Sequence, residues 1–185
     1  MKQNTKNLVL AALFVALGLV LPFFTGQIPQ IGGMLLPMHL PVLICGLLCG
    51  WQYGAVVGLI LPMLRYFLFG MPPVLTAIAM SFEMLAYGLV VGLLYSRSRF
   101  KCIFSLYRSL ITAMVAGRLV WGAVRVILTG VAGEPFTWQL FISGALLTAI
   151  PGIILQLVFI PALMVALDKT GLVRFTRKKA EAAQP

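Results

Sequence analysis

Long apolar runs alternate with short polar or Gly/Pro-rich links along the whole chain. The six runs are residues 7–24, 38–50, 54–70, 74–95, 109–130 and 137–167. Most approach or exceed the roughly 20 residues that a helix needs to cross a bilayer. The second run is short, so we expect a helix that crosses only part of the membrane. Pro151 and Gly152 predict a kink in the sixth. The pattern predicts an all-α membrane protein with six transmembrane helices in one domain, residues 1–185, that ends in a basic cytoplasmic tail at residues 168–185.

Composition supports a membrane location. Hydrophobic residues make up 61% of the chain, charged residues only 10%, and the mean hydropathy is +1.04. A soluble domain carries about 25% charged residues. Too few charges are present to cover a water-exposed surface, so lipid must cover much of the outside. The net charge of +10 does not indicate nucleic-acid binding, because the basic residues lie in short clusters between apolar runs.

These clusters predict the orientation in the cell membrane. Eleven of the 14 basic residues lie before the first run, between the fourth and fifth, or after the sixth: Lys2, Lys6, Arg97, Arg99, Lys101, Arg108, Lys169, Arg174, Arg177, Lys178 and Lys179. Six crossings place all three clusters on one side, whereas the links at residues 25–37, 71–73 and 131–136 contain no Lys or Arg. Basic residues stay in the cytoplasm, so both termini are predicted to be cytoplasmic.

The other three basic residues, Arg65, Arg118 and Arg125, lie inside apolar runs, as does the acid Glu83. A charge at a helix centre costs about 2.5–3.5 kcal/mol on insertion scales, so each needs a partner or a wet cavity. Helical spacing places Arg118, Trp121 and Arg125 on one face of the fifth run. The pattern predicts a cavity that opens outward beneath residues 25–37 and 131–136. Its excess of positive charge favours an anion, and Arg is suited to a carboxylate.

A structural interpretation of the embedded charges remains open. Glu83 could neutralise one Arg, and Arg65, which is nearest the surface, could reach the outer head groups. His39 begins the second run between Pro37 and Pro41. A lone histidine there is more often structural than functional, and a functional His39 would act through the outward cavity.

Other patterns favour packing over chemistry. Gly46, Gly50, Gly54 and Gly58 recur every four residues and predict close helix packing. Cys45 and Cys49 are interpreted in the same way. The chain has no G-x-x-x-x-G-K-[ST] loop, no cluster spaced for metal binding and no nucleophile–base pair. We therefore predict a protein that is not an enzyme and that has no cofactor of its own.

Several longer segments resemble one family, the substrate-binding S components of energy-coupling factor (ECF) vitamin transporters, and within it the pantothenate type. These segments are residues 38–46, 50–54, 61–65, 69–73 and 79–83, and a less specific A-x-x-x-A motif lies at residues 12–16. The resemblance covers nearly the whole chain. It implies a subunit that binds a vitamin from outside and works with a membrane T component and two ABC-type ATPases, which use the ATP.

The resemblance also implies residue roles. Ala12 and Ala16 match the motif that packs against the T component. Family binding residues come from the first outer loop and from spans four to six. Five residues of this chain fall in that region: Glu83, Arg118, Trp121, Arg125 and Trp138. Arg65 and His39 are further candidates from the argument on the outward cavity. Arg118 and Arg125 are the predicted carboxylate ligands.

The small anion pantothenate suits this cavity, and folate or another anionic vitamin is the first alternative. The rival classes are a membrane enzyme that acts on a lipid head group and a structural or accessory membrane protein.

Overall fold

The computed structural model describes residues 2–24, 36–98, 102–132 and 149–170, and all regular structure in these ranges is α-helical. The helices are α1 (Lys2–Phe24), α2 (His39–Cys49), α3 (Trp51–Phe69), α4 (Val74–Arg97), α5 (Ile103–Ala132) and α6 (Ile150–Lys169). The prediction of an all-α membrane protein is confirmed. Trp138 and most of the two predicted outer links lie outside the described residues, as does most of the basic tail.

Five helices, α1 and α3 to α6, are long and apolar enough to cross a membrane. Their outward faces carry large exposed apolar side chains, such as Leu13 on α1, Leu119 on α5 and Val158 on α6. Such faces would be unstable in water and suit lipid contact. At 11 residues, α2 spans only about 16 Å, whereas the hydrocarbon core is about 30 Å thick.

The short helix α2 lies inside the bundle. Nearly all of its residues are buried, and it packs against α1, α3, α4 and α6. Because neighbouring helices rather than lipid surround it, α2 does not need the length of a membrane span. This arrangement explains how a short apolar run can be accommodated in the chain.

Glycines allow α2, α3 and α4 to approach closely. A Cβ on Gly58 would overlap the backbone of Met84, and one on Gly88 would overlap the backbone of Gly54. A Cβ on Gly46 would meet the Gly88 carbonyl oxygen at 2.8 Å. We call Gly46, Gly54, Gly58 and Gly88 the glycine seam. The pairing of 58 with 84 and of 54 with 88 shows that α3 and α4 run antiparallel.

The helix pairs define two ends of the bundle. Tyr87 of α4 lies against Gly117 of α5, and Ser98 bonds to Ser105, so α4 and α5 are also antiparallel. Gly18 of α1 contacts Leu61 of α3, and residues near the C-terminal ends of the same two helices also meet. Helices α1 and α3 are therefore parallel. We call the end where α1, α3 and α5 finish and α4 begins the upper end.

The structure differs from the predicted pattern at two links. Gly50 has φ +96° and open space around its Cβ position, so it forms the turn between α2 and α3 rather than a packing contact. Helix α5 begins at Ile103, within the predicted basic link, and therefore includes Arg108. Pro151 lies in the first turn of α6, where its missing N–H costs no helix bond. Residues 137–148, which precede this helix in the sixth run, lie outside the described residues, so the kink stays a prediction.

Candidate functional site

A buried cluster of polar side chains centres on Glu83 of α4, which is 1% exposed. Its Oε1 atom accepts a hydrogen bond from the Tyr87 hydroxyl at 3.0 Å and lies 3.1 Å from Nη1 of Arg118. Nε2 of His39 lies 3.7 Å from the same oxygen. We call His39, Glu83, Tyr87 and Arg118 the Glu83 cluster. It joins α2, α4 and α5 about 14 Å below the start of α4.

Arg118 uses only part of its guanidinium in this cluster. Nη1 faces Glu83, whereas Nε and Nη2 are buried and have no hydrogen-bond partner among the described residues. The Nε–H and one Nη2–H lie on the same edge of the planar group and point in parallel. That edge matches the two oxygens of a carboxylate. Arg118 can therefore hold Glu83 with one edge and a carboxylate ligand with the other.

His39 supplies a second unsatisfied polar group. Its side chain is fully buried, and Nδ1 has no hydrogen-bond partner among the described residues. The ring packs edge-on against Tyr87 with centroids 5.3 Å apart. Since His39 is the first residue of α2, its contact with Glu83 shows that α2 begins at the depth of this cluster.

Trp121 and Arg125 continue the face of α5 from Arg118 toward the upper end. Two helical turns, about 10 Å, separate Arg125 from Arg118. The Arg125 guanidinium lies 5.7 Å from the centre of the Trp121 ring, which is cation–π distance. Both side chains are partly exposed. They form a polar and aromatic surface above the buried cluster.

Arg65 lies on a different contact surface. Its Nη1 donates to the Leu19 carbonyl of α1 at 3.0 Å, and its guanidinium lies 5.6 Å from the ring centres of both Phe23 and Phe69. The side chain is only 5% exposed. These contacts tie α1 to α3. They do not bring Arg65 into the Glu83 cluster, and its guanidinium contacts the chain itself rather than the head-group surface that the sequence suggested.

The charge balance of the site therefore differs from the predicted one. Glu83 pairs with Arg118, and Arg65 belongs to the α1–α3 contact, so Arg125 alone supplies the excess positive charge in the described part of the site. The predicted ligand Trp138 lies outside the described residues. Ala12 and Ala16 are both exposed on α1, one helical turn apart.

Sequence reasoning missed Tyr87 and Gly117. Tyr87 lies one helical turn after Glu83, so helical spacing alone places both on one face. Gly117 precedes Arg118, and a Cβ there would overlap the Tyr87 ring. No group of three or more His, Cys, Asp or Glu side chains in the described ranges could hold a metal ion. The donors of Arg118 are suited to binding an anion by hydrogen bonds.

Comparison with known proteins identifies the family. A family model described as the substrate-specific component of ECF transporters matches residues 6–164, which include the whole Glu83 cluster. No curated protein and no solved structure matches the chain significantly. Members of this family are multi-pass subunits of the cell membrane that bind a transported substrate and are not enzymes. The chain therefore belongs to the family of ECF transporter substrate-specific components, which work with a T component and ATPases.

Proposed function

We propose that this chain captures pantothenate from outside the cell for import by the ECF transporter. The observation that carries the proposal is the buried Nε–Nη2 edge of Arg118, which has no hydrogen-bond partner in the part of the chain that the structure describes. A buried donor without a partner costs about 1–3 kcal/mol, and more on a charged group. A ligand carboxylate removes that cost with two parallel hydrogen bonds. Pantothenate has one carboxylate, and its hydroxyls and amide suit the polar groups around the cluster.

Charge supports a singly charged ligand. Among the described residues of the site, Glu83 pairs with Arg118, which leaves Arg125 as the excess positive charge. One excess positive charge balances one carboxylate. Folate carries two carboxylates, and thiamine is a cation, so both fit this balance less well. An uncompensated charge is costly in a site of low dielectric constant, which makes charge balance a useful criterion for the ligand.

Other groups of the site suit the rest of pantothenate. The contacts of Tyr87, His39 and Arg118 with the Glu83 carboxylate are to Oε1, and Oε2 is proposed to accept a hydrogen bond from a ligand hydroxyl. Nδ1 of His39 offers another polar contact. Trp121 supplies an apolar face for the ligand's methyl groups, and Trp138 is proposed to do the same.

Orientation is part of the proposal. Lys6 near the start of α1, Arg97 at the end of α4 and Arg108 near the start of α5 lie toward the lower end of the bundle. Basic residues favour the cytoplasmic side. The upper end therefore faces outside, both termini are cytoplasmic, and Trp121 and Arg125 lie on the ligand's route to Arg118.

Titration of the purified protein with pantothenate and with pantothenol tests the proposal. Pantothenol keeps the hydroxyls and the amide but has an alcohol in place of the carboxylate. We expect saturable binding of pantothenate and affinity for pantothenol that is about 100-fold lower, since two charge-assisted hydrogen bonds are lost. Equal affinity for both compounds would contradict the role of Arg118. Binding of folate in place of pantothenate would contradict the substrate but not the family.

We also propose that Ala12 and Ala16 form the surface that meets the T component. Small exposed residues one turn apart allow another helix to approach closely. Leucine at both positions is expected to separate the helices and to reduce the T component recovered with the tagged chain by about tenfold. Ala123→Leu, an exposed alanine on α5, is the matched control. Unchanged recovery with the Ala12→Leu/Ala16→Leu variant would contradict this interface.

A further inference from the structure

Tyr87 contacts Glu83 and His39 directly, and it contacts Gly117, the residue next to Arg118. Its hydroxyl donates to Oε1 of Glu83 at 3.0 Å, and its ring packs edge-on against His39. The ring also lies against Gly117, the residue before Arg118, where an added Cβ would overlap it. The Tyr87 side chain is 1% exposed. Tyr87 thus lies where α2, α4 and α5 meet, although it does not contact the free edge of Arg118.

The contacts on Glu83 are one-sided. Tyr87, His39 and Arg118 all approach the same oxygen, Oε1. A carboxylate beside a guanidinium favours the two-bond arrangement in which both oxygens face one edge of the Arg. The guanidinium offers two such edges, Nη1–Nη2 and Nε–Nη2, and Glu83 lies on Nη1. A rotation of Glu83 away from Nη1 would place its carboxylate on the Nε–Nη2 edge. That edge would then be closed to a ligand.

The Tyr87 hydroxyl opposes that rotation. A hydrogen bond to a charged acceptor is stronger than one between neutral groups, and this one is made only while Oε1 stays within reach of Tyr87. The nearby imidazole of His39 acts in the same direction. Because Tyr87 is packed between His39 and Gly117, its hydroxyl has little freedom to follow a moving carboxylate.

Resting on the proposed function, we propose that Tyr87 is a positioning residue that holds the Glu83 carboxylate on Nη1 of Arg118 and so keeps the Nε–Nη2 edge open to the ligand carboxylate. Gly117 has no side chain and so leaves room for the Tyr87 ring. The hydroxyl sets the preference for a carboxylate ligand without contacting the ligand carboxylate itself.

The experiment compares pantothenate with pantothenol in Tyr87→Phe. Phenylalanine keeps the ring packing and removes only the hydroxyl. We expect the dissociation constant for pantothenate to rise about tenfold more than that for pantothenol, which has no carboxylate for Arg118, so the preference for the carboxylate falls about tenfold. A merely structural role for Tyr87 would weaken both compounds equally, and that result would overturn the proposal. An unchanged preference would also overturn it.

Gly117→Ala tests the same geometry without altering the hydroxyl. Its Cβ displaces the Tyr87 ring, so the preference for pantothenate over pantothenol should fall as it does in Tyr87→Phe. This variant provides the test if Tyr87→Phe does not fold. Gly130→Ala is the matched control on the same helix, because its Cβ would meet nothing within 4 Å. If folded Gly117→Ala keeps the full preference for pantothenate over pantothenol, the proposal is overturned. If the unaltered protein binds pantothenate and pantothenol equally, the proposed function fails and this inference fails with it.

Discussion

Replacing Arg118 by Gln is expected to abolish the preference for pantothenate and to destabilise the protein. The change removes the Nε–Nη2 edge and leaves Glu83, 1% exposed, without its cationic partner. Breaking a buried pair costs about 3–5 kcal/mol. We expect the lower part of that range because His39 and Tyr87 still contact Oε1. The affinity for pantothenate should fall about 100-fold, to that of pantothenol.

The double variant Glu83→Gln/Arg118→Gln separates binding from folding. It removes both charges, so the cost of an unpaired buried charge disappears and most of the lost stability should return. Binding should not return, because the carboxylate ligand still lacks its donors. Thermal unfolding in detergent and ligand titration measure the two effects. A stable double variant that binds pantothenate normally would show that the Glu83–Arg118 pair is only structural and that another group binds the ligand carboxylate.

Replacing Gly88 by Ala is expected to have the largest effect on folding without altering a charge. The new Cβ would overlap the backbone of Gly54, and backbone atoms cannot move aside as a side chain does. Helices α3 and α4 would have to separate along the glycine seam. Overpacking costs about 1–3 kcal/mol, and we expect about 3 kcal/mol here because lipid offers no apolar driving force to restore the contact.

The measurement is the unfolding temperature in detergent, with Gly130→Ala as the control. Gly130 lies near the upper end of α5 in open space, so alanine there should leave stability unchanged. Equal unfolding temperatures for the two variants would contradict the close approach of α3 and α4. A loss confined to Gly88→Ala would show that the seam determines this packing.

Much of this fold can be predicted from the sequence because lipid imposes simple rules. A spanning helix needs a long apolar run, and an embedded charge needs a partner. Those rules identify the helices and single out Glu83 and Arg118. They also predict the close packing of Gly46, Gly54 and Gly58, since small residues at helical spacing have few other uses in a membrane.

The remaining features depend on which helices become neighbours, which spacing does not determine. Any of the embedded arginines could have paired with Glu83. The antiparallel packing of α4 and α5 selects Arg118, whereas the parallel packing of α1 and α3 brings Arg65 to the Leu19 carbonyl. Gly50 fits the four-residue glycine repeat but lies at a turn. The apolar pattern therefore does not predict which residues of other helices a given side chain contacts.

A structure of the protein with bound pantothenate tests the central claim most directly. The account predicts that the ligand carboxylate lies at about 2.7–2.9 Å from both Nε and Nη2 of Arg118, with Glu83 still on Nη1. A carboxylate held elsewhere, or a Glu83 that occupies the Nε–Nη2 edge while pantothenate is bound, would contradict it.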